Sequence, residues 1–208
     1  MKIEFLSDRP DRAGRYSLRL DTGASLRLYR QTVEDFGLYA GMELGEETLA
    51  SLREKAGQMS AKMRSVRIVA ASNVSHRDLQ QRLIRKGEDP EHARQAVAWM
   101  EEMHLVDDRQ TAHDLVQGCI RKGYGPRRAK QVLYEKQIPK ELWQEALADY
   151  PDQGERIEEF LRSRLRDSDD PKALRKAVDA LLRRGHSYSA VRRALDALGQ
   201  DTEEFRED

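Results

Sequence analysis

Hydrophobic and polar residues follow two different periods along the chain, a strand period at the start and a helical period afterwards. Apolar residues alternate with polar ones in Arg15–Leu20 and again in Leu26–Arg30, and the segment between them, Asp21–Ser25, is rich in turn-forming residues. Alternation on both sides of a glycine-containing turn predicts a β-hairpin. Met1–Leu6 is a candidate third strand beside this hairpin.

Beyond the hairpin, every predicted element is a helix. A short helix is predicted at 31–39, a further helix begins at 46–55, and the helical pattern continues from about residue 58 to residue 199. Within this part the sequence repeats itself with a period of about 50 residues. The recurrence centres on Gly87, Gln137 and Gly185, each followed by apolar residues at offsets of six, nine, ten and thirteen: Ala93, Ala96, Val97 and Met100; Trp143, Ala146, Leu147 and Tyr150; Val191, Ala194, Leu195 and Leu198.

Each recurrence predicts a unit of three helices. One helix ends at a basic residue followed by glycine (glutamine in the second unit), because glycine takes the left-handed conformation that terminates helices. A second helix follows, and a further helix precedes each pair. We therefore predict a mainly α-helical fold of three tandem three-helix repeats in an elongated curved array, with a small N-terminal β-hairpin and helix extension. The predicted divisions are 1–57 for the extension, 58–106, 107–152 and 153–199 for the repeats, and 200–208 for an acidic tail.

The composition agrees with thin helical layers better than with one thick core. Only 38% of the residues are hydrophobic and 36% are charged, which suits repeats that bury one apolar stripe per helix. The formal net charge of zero argues against a protein that simply coats DNA. The single cysteine, Cys119, excludes an intramolecular disulfide and favours a reducing compartment. Because no stretch approaches the length of a membrane span, we expect a cytoplasmic protein.

Residues with catalytic or metal-binding chemistry are present, but not in the patterns that such chemistry needs. Asp107 and Asp108 have no third ligand nearby and are interpreted as helix-capping residues. Cys119 falls on an apolar stripe and is interpreted as a small buried hydrophobe. The five histidines lack zinc-site spacing, and the chain has neither a P-loop nor a nucleophile elbow. We expect no catalytic residue, no metal and no cofactor, and therefore no enzyme.

Four segments stand in order along the chain: a helix that ends in glycine, an apolar pair followed by Asp-Asp, a basic Gly-x-Gly turn and a closing Arg-Arg-Gly segment. They are Leu79–Gly87, Leu105–Ala112, Arg121–Arg128 and Leu181–Tyr188, the last with Val191 and Leu195. Together these segments resemble the RecX family over roughly residues 60 to 199, and the N-terminal hairpin resembles an extension of longer members. Two positions depart from the family pattern: His186 stands where Phe or Tyr is usual, and Gln137 replaces a glycine, so that its left-handed conformation would be strained.

The resemblance implies a regulator of the RecA recombinase. Proteins of this family bind the RecA–DNA filament, lie along its helical groove, and inhibit ATP hydrolysis and strand exchange without catalytic residues of their own. The implied partners are RecA and the RecA–DNA filament, with the DNA phosphate backbone as a further contact. The chain would then act as a monomer in DNA repair, recombination and the SOS response.

Basic residues cluster beside the turns of repeats two and three, and they are the candidate contacts with RecA or DNA: Arg121, Lys122, Arg127, Arg128, Lys130, Arg183, Arg184, Arg192 and Arg193. The same residues have a second interpretation, as solvated helix faces that compensate the helix dipoles. A different functional hypothesis is a direct DNA-binding, helix-turn-helix-like transcription or architectural protein, which would bind DNA tightly without RecA and with a steep salt dependence. A helical scaffold for another protein is a third alternative.

Overall fold

The computed structural model describes residues 1–165 and 170–199. Within them the fold is mainly α-helical with one small antiparallel sheet near the N-terminus, which confirms the predicted fold class in those terms. The chain divides into two compact units, Met1–Asp107 and Asp108–Asp208. The predicted acidic tail, 200–208, lies outside the described residues.

The N-terminal sheet has three strands, β1 (Ile3–Leu6), β2 (Arg15–Leu20) and β3 (Ser25–Tyr29), in the order β1-β2-β3. Both neighbouring pairs are antiparallel, and β2 and β3 form the predicted hairpin. Because successive side chains of a strand point to opposite faces, the alternation in the sequence places one set of apolar residues in the core: Ile3, Leu18, Leu20 and Leu28.

The first helix is shorter than predicted. α1 spans Arg30–Asp35, whereas the prediction extended to Tyr39. Gly37 adopts a φ of +56° and its N–H donates to the carbonyl of Glu34 at 3.0 Å. A left-handed glycine of this kind ends a helix, so the residues beyond it, which the prediction included in the helix, lie outside α1.

α2 is a single helix of 26 residues, Glu46–Ala71, where two helices were predicted. The helix runs through Gly57 without a break, and this glycine makes room for the imidazole of His92. A Cβ atom at Gly57 would lie 2.4 Å from Cε1 of His92, and Nε2 of the same ring lies 3.0 Å from Oε1 of Glu54. The glycine therefore permits close packing inside a continuous helix, and the predicted division after residue 57 falls inside α2.

The two halves of α2 contribute to two different cores. Leu49, Leu52 and Ala56 pack with the buried face of the sheet. Ala61 and Ile68, further along the same helix, belong to the core formed with the next two helices. One element therefore joins the N-terminal sheet to the first repeat.

The first repeat is completed by α3, His76–Arg85, and α4, Pro90–Glu102. Both helices begin at side-chain caps: Ser75 Oγ accepts from the N–H of Asp78 at 3.1 Å, and Asp89 Oδ1 accepts from the N–H of Glu91 at 2.8 Å. The apolar stripes predicted for these helices are buried: Leu79, Leu83, Ala93, Ala96, Val97 and Met100.

The second repeat has a shorter third helix than its neighbours. It consists of α5 (Asp108–Arg121), α6 (Pro126–Glu135), a 3₁₀ turn (Lys140–Leu142) and α7 (Trp143–Leu147). The predicted stripe on this third helix is only partly buried, against the core of α5 and α6: Trp143, Ala146, Leu147 and Tyr150. The indole N–H of the first residue of α7 donates to the carbonyl of Ile138 at 3.0 Å, which fixes α7 to the turn before it.

The third repeat consists of α8 (Gly154–Leu165), α9 (Pro171–Arg183) and α10 (Tyr188–Ala197). Pro171 opens α9, and the preceding Asp170 accepts a hydrogen bond from the N–H of Lys172. Apolar residues from all three helices form one core: Ile157, Leu161, Leu165, Ala177, Val178, Leu181, Val191, Ala194 and Leu195.

The recurrence at Gly87, Gln137 and Gly185 is a recurrence of backbone conformation. The three residues have φ angles of +87°, +56° and +86°, respectively. In each repeat the N–H of the following residue donates to a carbonyl five residues earlier in the chain, at 3.0 to 3.2 Å, as in a Schellman helix ending. The predicted left-handed conformation of Gln137 is thereby confirmed.

Candidate functional site

The nine basic residues singled out in the sequence all lie in the unit 108–208, and eight of them are exposed. They stand at the end of α5, at the start of α6, at the end of α9 and on α10. Arg128 is the exception, since it is half-buried and its guanidinium lies 3.2 Å from the carboxylate of Glu135.

The turns of repeats two and three interlock through their backbones. The N–H of Gly125 donates to the carbonyl of Arg184 at 2.9 Å, and the N–H of Arg127 donates to the carbonyl of Gly185 at 3.1 Å. A Cβ atom at Gly125 would lie 2.2 Å from the oxygen of Gly185, and one at Gly185 would lie 2.2 Å from the nitrogen of Arg128. Only glycine at both positions permits this approach, which brings the basic cluster after α5 beside the one at the end of α9.

Side chains reinforce the same junction. His186 is only 3% exposed, and its Nε2 lies 3.1 Å from the carbonyl oxygen of Gly123, to which it donates in the tautomer protonated at that nitrogen. Burial lowers the pKa of His186, although the bond to Gly123 opposes this effect. The hydroxyl of Tyr150 donates to the carbonyl of Tyr124 at 2.6 Å, and burial raises the pKa of this phenol to about 12, so it remains a donor.

A cleft of about 380 Å³, which we call the junction cleft, opens beside these turns. Its lining includes four cations, one carboxylate and one phenyl ring: Arg121, Lys122, Arg156, Arg184, Glu159 and Phe160. Arg156 donates to the carbonyl of Ile120 at the end of α5, and the guanidinium of Arg184 lies 4.7 Å from the centre of the Phe160 ring. Within the described part of the chain, none of the four cations forms an ion pair with a carboxylate.

Residues 107–147 match the family model described as RecX, second three-helix domain. The matched segment covers α5, α6 and α7, which are the helices of repeat two. The chain is 25% identical over 187 residues to the regulatory protein RecX of Streptococcus sanguinis, covering 88% of this chain and 72% of the relative. It is 26% identical over 196 residues to the regulatory protein RecX of Streptococcus gordonii, covering 92% and 75% of the two chains. The second repeat thus matches a RecX domain, and most of the chain is similar to two RecX proteins.

Two solved RecX structures share the fold. A crystal structure of a regulatory protein RecX superposes with a TM-score of 0.63 at 23% identity and covers 94% of this chain and 98% of its own. The crystal structure of RecX from Lactobacillus salivarius has a TM-score of 0.59 at 17% identity and covers 69% and 97%. These structures confirm the mainly helical fold, and the family model together with the two streptococcal relatives confirms the RecX resemblance predicted from the sequence.

The turns of repeats two and three bring only some of the candidate residues together. Arg121, Lys122 and Arg184 meet at the junction cleft. Arg192 and Arg193 are exposed on α10 and do not line it. The remaining candidates also lie outside the cleft, on α6 and at the end of α9: Arg127, Arg128, Lys130 and Arg183.

Sequence reasoning missed the contribution of α8 to the cleft. Arg156 and Glu159 lie in the segment 140–159, which is acidic overall and has no recurring basic motif, and Phe160 follows it directly. Two guanidiniums lie over the ring of Phe160: that of Arg184 is 4.7 Å from the ring centre, and that of Arg164 is 5.5 Å from it. Phe160 fits the apolar spacing of α8 between the buried Ile157 and Leu161, so the sequence identified it only as a packing residue.

Other reactive groups occupy structural positions. Cys119 is buried, and burial raises the pKa of its thiol, so the group remains protonated near neutral pH. Among the described residues, no group of three or more His, Cys, Asp or Glu side chains has the arrangement of a metal site. In the same part of the chain, none of the helices combines the length and the apolar character needed to cross a membrane.

Proposed function

We propose that this chain binds the RecA recombinase, alone or as the RecA–DNA filament, and restrains it. The restraint would fall mainly on ATP hydrolysis and strand exchange, and so would regulate DNA repair and recombination in the cytoplasm. The observation that carries the proposal is the alignment of 88% and 92% of the chain with two proteins named regulatory protein RecX.

The architecture supports a binding protein without chemistry of its own. Thin helical repeats expose much surface for their size, as proteins that bind extended partners do. The basic side chains proposed to contact RecA or DNA are exposed or half-buried, at turns, at helix ends and along α6 and α10: Arg121, Lys122, Arg127, Arg128, Lys130, Arg183, Arg184, Arg192 and Arg193. We also propose the division into an extension (1–57), three repeats (58–106, 107–152 and 153–199) and an acidic tail (200–208), with the chain acting as a monomer and without a cofactor.

The direct test is a titration of this protein into RecA that is hydrolysing ATP on single-stranded DNA. We expect turnover to slow when the added protein is well below the amount of RecA, because a groove-bound molecule contacts several filament subunits. Turnover that stays constant over a wide titration would contradict the proposal.

A binding experiment separates the proposal from direct DNA recognition. Assembled RecA filaments, free RecA and bare DNA are compared as baits at the same ionic strength. We expect retention on the RecA-containing baits, and the strongest retention on filaments. Retention on bare DNA alone, with a steep salt dependence, would favour a DNA-binding protein instead.

A further inference from the structure

The junction cleft holds more positive charge than the fold uses. Arg156 donates to the end of α5 and Arg184 stacks on Phe160, so both have partners inside the protein. The side chains of Arg121 and Lys122 form no hydrogen bond or ion pair within the described residues. Both residues are exposed, and both line the cleft. A ligand with negative charge complements this arrangement.

The details of the lining disfavour a nucleic acid. Glu159 places a carboxylate among the cations, so the cleft can accept only a few anionic groups, and a polyanion with a phosphate at every nucleotide fits this balance less well than a segment with two or three carboxylates. The ring of Phe160 already carries the guanidiniums of Arg164 and Arg184. A nucleobase would have to displace a cation before it could stack there, although stacking on aromatic rings is how single strands gain much of their binding energy.

We propose that the junction cleft binds an acidic segment of a protein partner. Two or three carboxylates of an extended segment would pair with Arg121, Lys122 and Arg184, the arginines offering two parallel donors to each carboxylate. A volume of about 380 Å³ accommodates only a few side chains, which suits a short segment and not a folded surface. The inference rests on the proposed function for the identity of the partner, whereas the cleft itself predicts only its chemistry.

The test uses the full chain and a fluorescent peptide composed of Asp and Glu with one Leu, read by anisotropy. In the double variant R121E/K122E we expect the affinity to fall by about tenfold, because two attractive charges become repulsive. The matched control is K172E/K176E, which makes the same change of charge on the exposed first half of α9, away from the cleft. Its affinity should stay within about twofold of that of the parent chain at the same salt concentration.

Three results would overturn the assignment. Equal losses in the two double variants would mean that only net charge matters. Equal binding of a peptide with Asn and Gln in place of Asp and Glu would remove the role of the carboxylates. Binding of oligothymidine that is stronger than that of the peptide, and that depends on Arg121 and Lys122, would make the cleft a phosphate site.

The chain's own acidic residues, 201–208, are a competing occupant. A chain that ends at Gly199 should bind the peptide as the full chain does, if the cleft is open to a partner. A tenfold gain on truncation would show that the tail fills the cleft, and would overturn the assignment to a partner.

The outcome can be separated from that of the proposed function. Arg184→Ala is a second variant, in case reversal of two charges disturbs folding, and thermal unfolding of each variant checks this. If R121E/K122E loses the peptide but restrains RecA as strongly as the parent chain, the partner does not dock in the cleft and the proposed function stands. If the parent chain has no effect on RecA, the proposed function fails, while the peptide titration still decides the chemistry of the cleft.

Discussion

The helix endings at Gly87 and Gly185 have the same backbone and opposite surroundings. Their φ angles are +87° and +86°, yet a Cβ atom at Gly87 would meet nothing within 4 Å, whereas one at Gly185 would lie 2.2 Å from the nitrogen of Arg128. The residues after them differ in the same way. Glu88 pairs with α2 of its own repeat, and His186 reaches the carbonyl of Gly123 in the preceding repeat. One motif therefore serves as a local helix ending in repeat one and as a joint between repeats in repeat three.

The largest effect that would test this comparison is expected for Gly185→Ala. We expect a loss of roughly 2–4 kcal/mol in the free energy of unfolding, since left-handed strain adds to a backbone clash. Gly87→Ala should lose only roughly 1–2 kcal/mol, from the strain alone. Urea denaturation of both variants measures the difference, and equal losses would mean that the joint relaxes freely.

Gly125→Ala isolates the clash from the strain. Gly125 has a φ of −84°, which alanine adopts without strain, but its Cβ atom would lie 2.2 Å from the oxygen of Gly185. We expect a loss of about 1–3 kcal/mol in the unfolding free energy from overpacking alone. Gly118→Ala, inside α5, is the matched control and should not be destabilised, because a Cβ atom there would make only an ordinary contact with the guanidinium of Arg121 at 3.9 Å.

Glu88 tests the other side of the comparison. Its carboxylate is buried, and Oε1 lies 2.7 Å from Nε of Arg64 and accepts from the hydroxyl of Ser60 at 2.9 Å. We expect Glu88→Ala to lose roughly 2 kcal/mol in unfolding free energy, because it leaves both partners without the acceptor, although the partly exposed Arg64 can be hydrated again. Glu88→Gln keeps an acceptor for Ser60 and should lose less unfolding free energy than Glu88→Ala. If urea denaturation gives both variants the stability of the parent protein, the pairing of Glu88 contributes nothing.

Gln137 offers a smaller effect of opposite sign. It holds the same left-handed position as the two glycines, at φ +56°, with a side chain that disfavours that conformation. Gln137→Gly should gain about 1 kcal/mol in unfolding free energy, net of the extra freedom of glycine in the unfolded chain. A melting temperature that stays the same or falls would show that the Gln137 side chain provides compensating contacts.

The smallest expected effect is a dependence of the joint on pH. Because burial holds the pKa of His186 below its ordinary value of 6.5, the unfolded chain takes up a proton in preference to the native protein as the pH falls below 6.5. The contribution of this residue is therefore complete above that pH and is lost below it. The unfolding free energies of the parent chain and of His186→Phe are measured by denaturation from about pH 8 to about pH 5. As the pH falls, the parent chain should lose stability relative to the variant. Two curves that stay parallel over this range would contradict the prediction.

Local conformation was predictable from the sequence because it depends on neighbours in the chain. The hairpin, most helices and the left-handed Gln137 follow from spacing and from residue type. The continuity of α2 through Gly57 was not predictable, since a glycine that makes room for His92 looks the same in sequence as one that ends a helix. The approach of Gly125 to Gly185 spans 60 positions, and no periodicity records a contact of that kind.

The candidate site was predictable only in part for the same reason. Arg121, Lys122 and Arg184 stand beside recurring turns, which made them visible as clusters. Arg156 and Glu159 have no such context, and their place in the cleft depends on how α8 packs against the turns of two repeats. Charge patterns along a chain therefore identify a surface less completely than they identify a helix.

The uninterrupted α2 has a mechanical consequence. At a rise of about 1.5 Å per residue, its 26 residues make a rod of about 39 Å, with strands attached along one half and two helices along the other. Because a stiff helix moves as one body, a force on the sheet would also displace α3 and α4. Deletion of residues 1–57 would cut α2 near its middle and leave its remaining half without the sheet that packs on the other half.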